Sequence, residues 1–348
     1  MALPLQSRRY EVPDPIEAIE FCYQKGWTDG LPVVPPTEGR IRAMLDAAGL
    51  SQETVLGELQ ARRRIVTAEK VAINAVMAGC LPAYMPVVAT AVQAMTDPAF
   101  SLHGPVASTS GMGLLVIVNG PLARALQING GENLFGPGNR ANATIGRAIR
   151  LILMNCFGAT PGLLDRSAFG HPGKYSYCIA ENEPVSPWTP LHVERGCPPG
   201  SSAVTVMAGE SPHQVVNQTA RTPEAILATV ADVLAAAGRM NVTGQGEYAV
   251  LIGQEHMRLI AAAGWGKPEI RQFLFAHARR SVAELKRAAR LPGPPQPGDE
   301  EKRLGIVEQP DHLLIVAAGG ATGGYSATIA GWVGRGHSRA VTKQIQTP

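Results

Sequence analysis

The spacing of apolar positions divides the chain into alternating helical and extended stretches. Asp14-Pro15 opens a helix predicted to run to about residue 25, with Ile16, Ile19 and Tyr23 on one face. A second helix follows Thr37, with Ile41, Met44 and Leu45 at helical spacing. Between them, GWTDGLPVVPPTE (26–38) holds a turn at Asp29-Gly30 and extended residues among prolines. Residues 67–95 predict two helices, the first ended by Gly79 and the second carrying Pro86 in its first turn, joined by the CLPAY turn at Cys80. LLVIV (114–118) is a continuous apolar run flanked by glycines, which predicts a buried strand. Asn119-Gly120-Pro121 then turns into a short helix.

The stretch 136–152, GPGNRANATIGRAIRLI, starts as a broken loop and becomes a helix with Asn139 as its N-cap. Arg140, Thr144 and Arg147 share one stripe; Ile145, Ile149 and Ile152 share an apolar one. A helix start dressed in this way suits an anion, held by Asn139, Arg140, Asn142 and Thr144. Further on, KYSYCIAENEP reads as a strand with Glu181 and Glu183 on one face, and SPWTPLHVERG as an extended loop presenting Trp188 and His192. SSAVTVMAGE is a strand. TPEAILATVADVLAAAG is a helix capped by Thr222 and closed by Gly238, and YAVLIGQEHMRLIAAAGW reads strand, turn, helix. KPEIRQFLFAHARRSVAELKR reads as one basic helix, and HLLIVAAGGATGGYSATIAGW as a buried strand entering a glycine-rich turn.

Strands alternating with helices make the fold class α/β or α+β. LLVIVNGPLARALQINGG and YAVLIGQEHMRLIAAAGW share one pattern, which suggests two related α/β halves with mixed sheets and a site at their junction. The expected organisation is an N-terminal arm with helices over 1–60, a first half over 61–200 that carries the anion-binding helix, and a second half over 201–348 with the glycine-rich segment.

Composition narrows the function classes. At 348 residues the chain can bury a large core. A net charge of +3 gives no argument for nucleic acid or a membrane surface, and 5% aromatic content argues against a base-stacking platform. No apolar run reaches membrane-spanning length. The five cysteines are odd in number, none forms a CxxC, and no signal peptide precedes them, so free thiols in a reducing cytoplasm are expected.

The chain has no full GxGxxG, no P-loop, no HExxH and no GxSxG. No cofactor or metal site is predicted; His171, His192 and His213 are scattered. Cys80, placed just before a helix start, is the candidate nucleophile or redox thiol. Glu181, Glu183 and His192 are candidates for proton transfer. Ser108 and Thr109 stand before the apolar strand as further binding hydroxyls.

The run GWTDGLPVVPPTE, EKVAINAVMAGC, GPGNRANATIGRA, PGKYSYCIAENE, SPWTPLHVERG and H-x-x-x-I-A-x-x-GW (256–265) resembles an uncharacterised bacterial family across nearly the whole chain. Members of that family are encoded beside a smaller UGSC-type (seleno)protein, so the resemblance implies a two-component redox or thiol-dependent enzyme with such a partner. The family's glutamate after the Cys-x-Pro turn is Ala83 here, which puts that residue's role in doubt.

The expectation is therefore a cytoplasmic, oligomeric enzyme acting on a small carboxylated metabolite, an oxidoreductase or lyase with the Cys80 thiol and an arginine clamp at Arg140. Two alternatives stand beside it: a thiol-independent lyase or hydrolase working through Glu181, Glu183 and His192, and a non-catalytic subunit of a two-component enzyme.

Overall fold

The computed structural model describes residues 4–240, 242–244, 246–334 and 338–347. Along the chain come helices α1 (Pro15–Gln24) and α2 (Glu38–Ala47), the hairpin of β1 (Val55–Leu59) and β2 (Arg64–Thr67), and helices α3 (Ala68–Ala78), α4 (Met85–Met95) and α5 (His103–Ala107). Then follow β3 (Gly113–Asn119), α6 (Pro121–Ala125), α7 (Arg140–Asn155), β4 (Cys178–Ala180) and α8 (Leu191–Glu194). Next are β5 (Ala203–Gly209), β6 (His213–Val216), α9 (Pro223–Leu234), β7 (Tyr248–Ile252), α10 (Gln254–Ala262) and α11 (Lys267–His277). The last are β8 (Arg279–Ser281), α12 (Val282–Arg287), β9 (Arg303–Gly305), β10 (Leu313–Ala317), β11 (Tyr325–Ala330) and β12 (Val341–Gln344).

Two four-stranded mixed sheets form the centre, in the orders β12-β5-β3-β4 and β10-β7-β11-β6. Each has one parallel pair, β3 with β4 and β7 with β10. Each is extended from the first strand of that pair by two antiparallel neighbours. The strands β3 and β7, which share a sequence pattern, therefore hold equivalent places.

Side-chain alternation sorts the core into three layers. Leu115, Ile117, Ile179 and Met207 of the first sheet meet Ala249, Leu251, Leu314 and Ile329 of the second, so the two sheets lie face to face. Val116, Val118, Val204 and Val206 point outward under α2, α3, α4 and α7. Tyr248, Val250, Ile252 and Ile315 point outward under α9, α10 and α11. The result is helices, sheet, sheet, helices. Because each strand of the central pair buries both faces, β3, β5, β7 and β10 are buried at every position.

The sheets exchange strands. β5 runs on into β6, which pairs in the second sheet, and β11 runs towards β12, which pairs in the first. The crossing is hydrogen-bonded: Gly209 bridges Gly331, Glu210 N–H donates to Ala330 O, and Trp332 N–H donates to Ala208 O. Glycine is required there. A Cβ on Gly331 would lie 2.6 Å from Glu247 O, and one on Gly209 would lie 2.6 Å from an Ile329 methyl. The boundary at residue 200 does not separate the sheets, since β5 and β12 lie beyond it and belong with β3.

Four local readings differ from the structure; the first is α9, which stops at Leu234 with Ala235 as its C-cap, short of the Gly238 expected to close it. The strand expected over KYSYCIAENEP is only β4, because Pro172 and Pro184 start tight turns on either side. SPWTPLHVERG is not extended throughout; Leu191–Glu194 form α8 after Pro190. The long basic helix breaks at His277, and Arg279–Ser281 pair with β9 before Ser281 caps α12.

Candidate functional site

Asn139 forms the cap expected of it, whereas Thr37 makes no side-chain cap bond to α2. The Asn139 side chain accepts from Asn142 N–H at 3.0 Å and starts α7. Arg140 then reaches back, with Nε and Nη2 donating to Gly79 O at 3.2 and 3.0 Å. Thr144 Oγ1 donates to Arg140 O, one turn earlier on the same helix. Arg147 makes a two-pronged ion pair with Asp29, 2.8 Å on each arm, and also donates to Leu31 and Pro32 carbonyls. The arginine stripe of α7 thus fastens the GWTDGLP loop and the end of α3.

Cys80 lies in that same seam. It is buried, and its Sγ donates to Thr144 O at 3.3 Å. Burial pushes its thiol up to about 12, against a smaller opposing influence from the Thr144 contact and the charges of Arg140 and Arg147. The structure therefore joins Cys80, Arg140 and Thr144, with the thiol protonated at neutral pH.

Glu181 and Glu183 converge elsewhere, on Asn119 at the end of β3. Glu181 is buried; its Oε2 accepts from Asn119 Nδ2 and Leu191 N–H, both at 2.7 Å, and its Oε1 from Lys267 Nζ at 3.0 Å. Lys267, itself buried, also pairs with Glu194 at 3.1 Å. Glu183 Oε1 accepts from Gly120 N–H at 2.6 Å and Asn119 Nδ2 at 2.9 Å. A buried carboxylate needs such company, because leaving one unpaired in the interior is costly. His192 is 1% exposed on α8, and neither ring nitrogen has a hydrogen-bond partner.

A large cavity opens elsewhere again among the described residues, at one end of the space between the sheets, with a volume of about 780 Å³. That is within the usual range of small-molecule sites, about 300–1,000 Å³. Its walls come from the loop 133–137, the first turn of α7, the segment 172–178, the β5–β6 connection, the first turn of α10, the glycine loop 318–322 and the start of β11. Of the residues singled out in the sequence, Asn142 lines it; Cys80, Ser108, Thr109, Asn139, Arg140, Thr144, Glu181, Glu183 and His192 do not. Asn142 is itself fully engaged: its Oδ1 accepts from Asn129 N–H, and its Nδ2 donates to Asn129 O and Cys178 O. Ser108 Oγ donates to Ser110 Oγ, while Thr109 O accepts from Ala168 N–H.

The chemistry at the cavity comes from residues that sequence patterns did not bring forward as a group: Ser326 and Glu255 on its wall, and His256 beside Ser326 in the interior. His256 on α10 is fully buried, with Nε2 3.0 Å from Asn217 O and Nδ1 2.8 Å from Ser326 Oγ. A carbonyl oxygen only accepts, so Nε2 carries the proton, and Nδ1 accepts from the Ser326 hydroxyl. Ser326 belongs to β11 and lines the cavity. The first turn of α10 adds backbone donors. Gln254 N–H donates to Gly320 O and Met257 N–H to Gly253 O. Gly253, as N-cap, offers no side-chain acceptor, which leaves the Glu255 and His256 N–H groups at the helix start. Glu255 anchors one carboxylate oxygen in the glycine loop; its Oε2 accepts from Gly323 and Gly324 N–H at 2.8 and 3.0 Å. Those two backbone donors, Gly323 first, hold its carboxyl below the ordinary value. The one signal in the sequence was His256 at the head of the H-x-x-x-I-A-x-x-GW segment; its serine partner lies 70 residues away.

Among the described residues, no group of three or more His, Cys, Asp and Glu is placed to hold a metal ion, and no helix is long and apolar enough to cross a membrane. Compared with known proteins, the chain matches no family model, no curated protein and no solved structure.

Proposed function

We propose that the chain is an enzyme of the thiol-independent class, a hydrolase or acyl-transfer enzyme acting on a small organic molecule bound between the two sheets. The observation that carries this reading is Ser326 on the cavity wall with the fully buried His256 beside it, 2.8 Å away and oriented by Asn217 O at 3.0 Å. A hydroxyl nucleophile, a base within hydrogen-bond reach and a third group fixing the base are what nucleophilic catalysis requires. Ser326 Oγ attacks an acyl carbon and passes its proton to His256 Nδ1. The electron pair of the carbonyl moves onto its oxygen, for which the Glu255 N–H, on the cavity lining at the start of α10, is the candidate donor. When the carbonyl re-forms, the leaving group departs with the proton held on Nδ1, and water then releases the acyl group by the same route.

The thiol reading has less support, since Cys80 is protonated and lies outside the cavity wall. The test uses a fluorophosphonate probe, which labels an activated serine, followed by peptide mapping. Labelling at Ser326 that disappears in Ser326→Ala and His256→Gln, and persists in Cys80→Ser, is expected. Equal labelling of the His256→Gln protein, or none of the wild type, would overturn the proposal.

A further inference from the structure

The cavity's charge is one-sided. Among the described residues no lysine, arginine or histidine lines it, and Glu255 is its one carboxylate. Glu255 has no cation within 4.0 Å among the described residues. Arg221 acts on it only through longer-range charge, its guanidinium being held by Gln218 O and Ala220 O. One carboxylate oxygen is fixed by the glycine loop, and the other makes no hydrogen bond. Aromatic rings line the same cavity. Phe135 and Tyr177 stand with centroids 5.6 Å apart, and Tyr175 and Tyr325 line the same space while partly exposed at its mouth. An ammonium group is favoured by a carboxylate with no cation partner and by neighbouring aromatic rings, whereas a carboxylate ligand would be repelled by the Glu255 side chain.

We infer that this cavity recognises a small molecule carrying a positively charged amine on an apolar body, with Glu255 as the group that selects the charge. The inference rests on the proposed function only in taking this cavity as the substrate site; it makes the substrate a cationic ester or amide. It also replaces the carboxylated substrate expected from Arg140, whose guanidinium is committed to Gly79 O.

Three probes with one phenyl ring separate the possibilities: 2-phenylethylamine, 2-phenylethanol and 3-phenylpropanoate, titrated calorimetrically into the full chain at neutral pH. The amine is expected to bind at least about tenfold more tightly than the alcohol, a difference of one decade in Kd, and the carboxylate most weakly. Glu255→Gln keeps an oxygen for Gly323 and Gly324 while removing the charge, and is expected to bring the amine down to the level of the alcohol. Ser326→Ala should leave the amine preference intact, which separates charge selection from acyl chemistry. Equal binding of amine and alcohol, tighter binding of the carboxylate, no binding of any probe, or an amine preference that survives Glu255→Gln would each overturn the inference. Serine labelling at Ser326 alongside any of these results would leave the proposed function standing.

Discussion

Cys80 shows how position decides what a residue can do. Its place between two helices suggested a helix dipole lowering the thiol, yet the side chain points into the seam with α7 and burial dominates. Cys156 follows the same rule and is raised to about 11, mainly by burial. The pH consequence has a definite sign. An unfolded thiol ionises near 8.5, while the folded Cys80 resists ionisation up to about 12. Stability is therefore complete below about pH 8.5 and falls as pH rises from there through the folded values. Urea midpoints at pH 8.0 and 10.5 are expected to decline for the wild type and to decline less for Cys80→Ser; a midpoint unchanged across that interval contradicts the account. The arginines tell a parallel story. Their helical stripe was legible from spacing, but their partners, Gly79 O and Asp29, come from segments 60 to 120 residues away, and nothing local announces them.

At the scale of elements, local chemistry was legible and pairing was not. Asp14, Asn139 and Thr222 cap the helices they were expected to cap, because an Asx or Thr side chain meets a donor only two or three residues on. Continuous apolar runs marked β3, β5, β7 and β10 for the same reason: their burial on both faces is written in every residue. The short strands β6, β11 and β12 were not separable from loops, since each owes its existence to a distant neighbour. The glycines at the crossing belong with these. Gly331→Ala sets a methyl against Glu247 O, and the backbone has to shift to admit it. Overpacking of this kind costs about 1–3 kcal/mol. Chemical denaturation of Gly331→Ala should show that loss, whereas Gly138→Ala, with open space around its Cβ, serves as a control limited to the strain of its positive φ. A Gly331→Ala protein as stable as the wild type would remove the steric argument.

For the whole molecule, the layered arrangement explains why the site was hard to see. The cavity draws on seven separate segments between residues 133 and 327, and it takes mainly their loops and helix starts. Which residues would line it was not foreseeable, because the sheets cross before the cavity forms. The same crossing predicts how the protein comes apart. Tryptophans stand in both outer layers, Trp27 and Trp332 against the first helical layer and Trp188 and Trp265 in the second. If each sheet depends on the other for a strand, neither layer can melt alone. Single-tryptophan variants reporting on each layer, followed in urea beside far-ultraviolet circular dichroism, are expected to give coincident transitions. Two separated midpoints would show the layers to be independent.

The strand exchange also has a bearing on synthesis. A ribosome delivers β3, β4 and β5 long before residues 341–344, so the first sheet waits for its edge while the whole second sheet is made. During that interval the open side of β5 is an unpaired template of the kind that attracts stray strands. Completion of the first sheet ahead of the second is barred by the order of synthesis, and the nascent chain has reason to need shielding until β12 arrives.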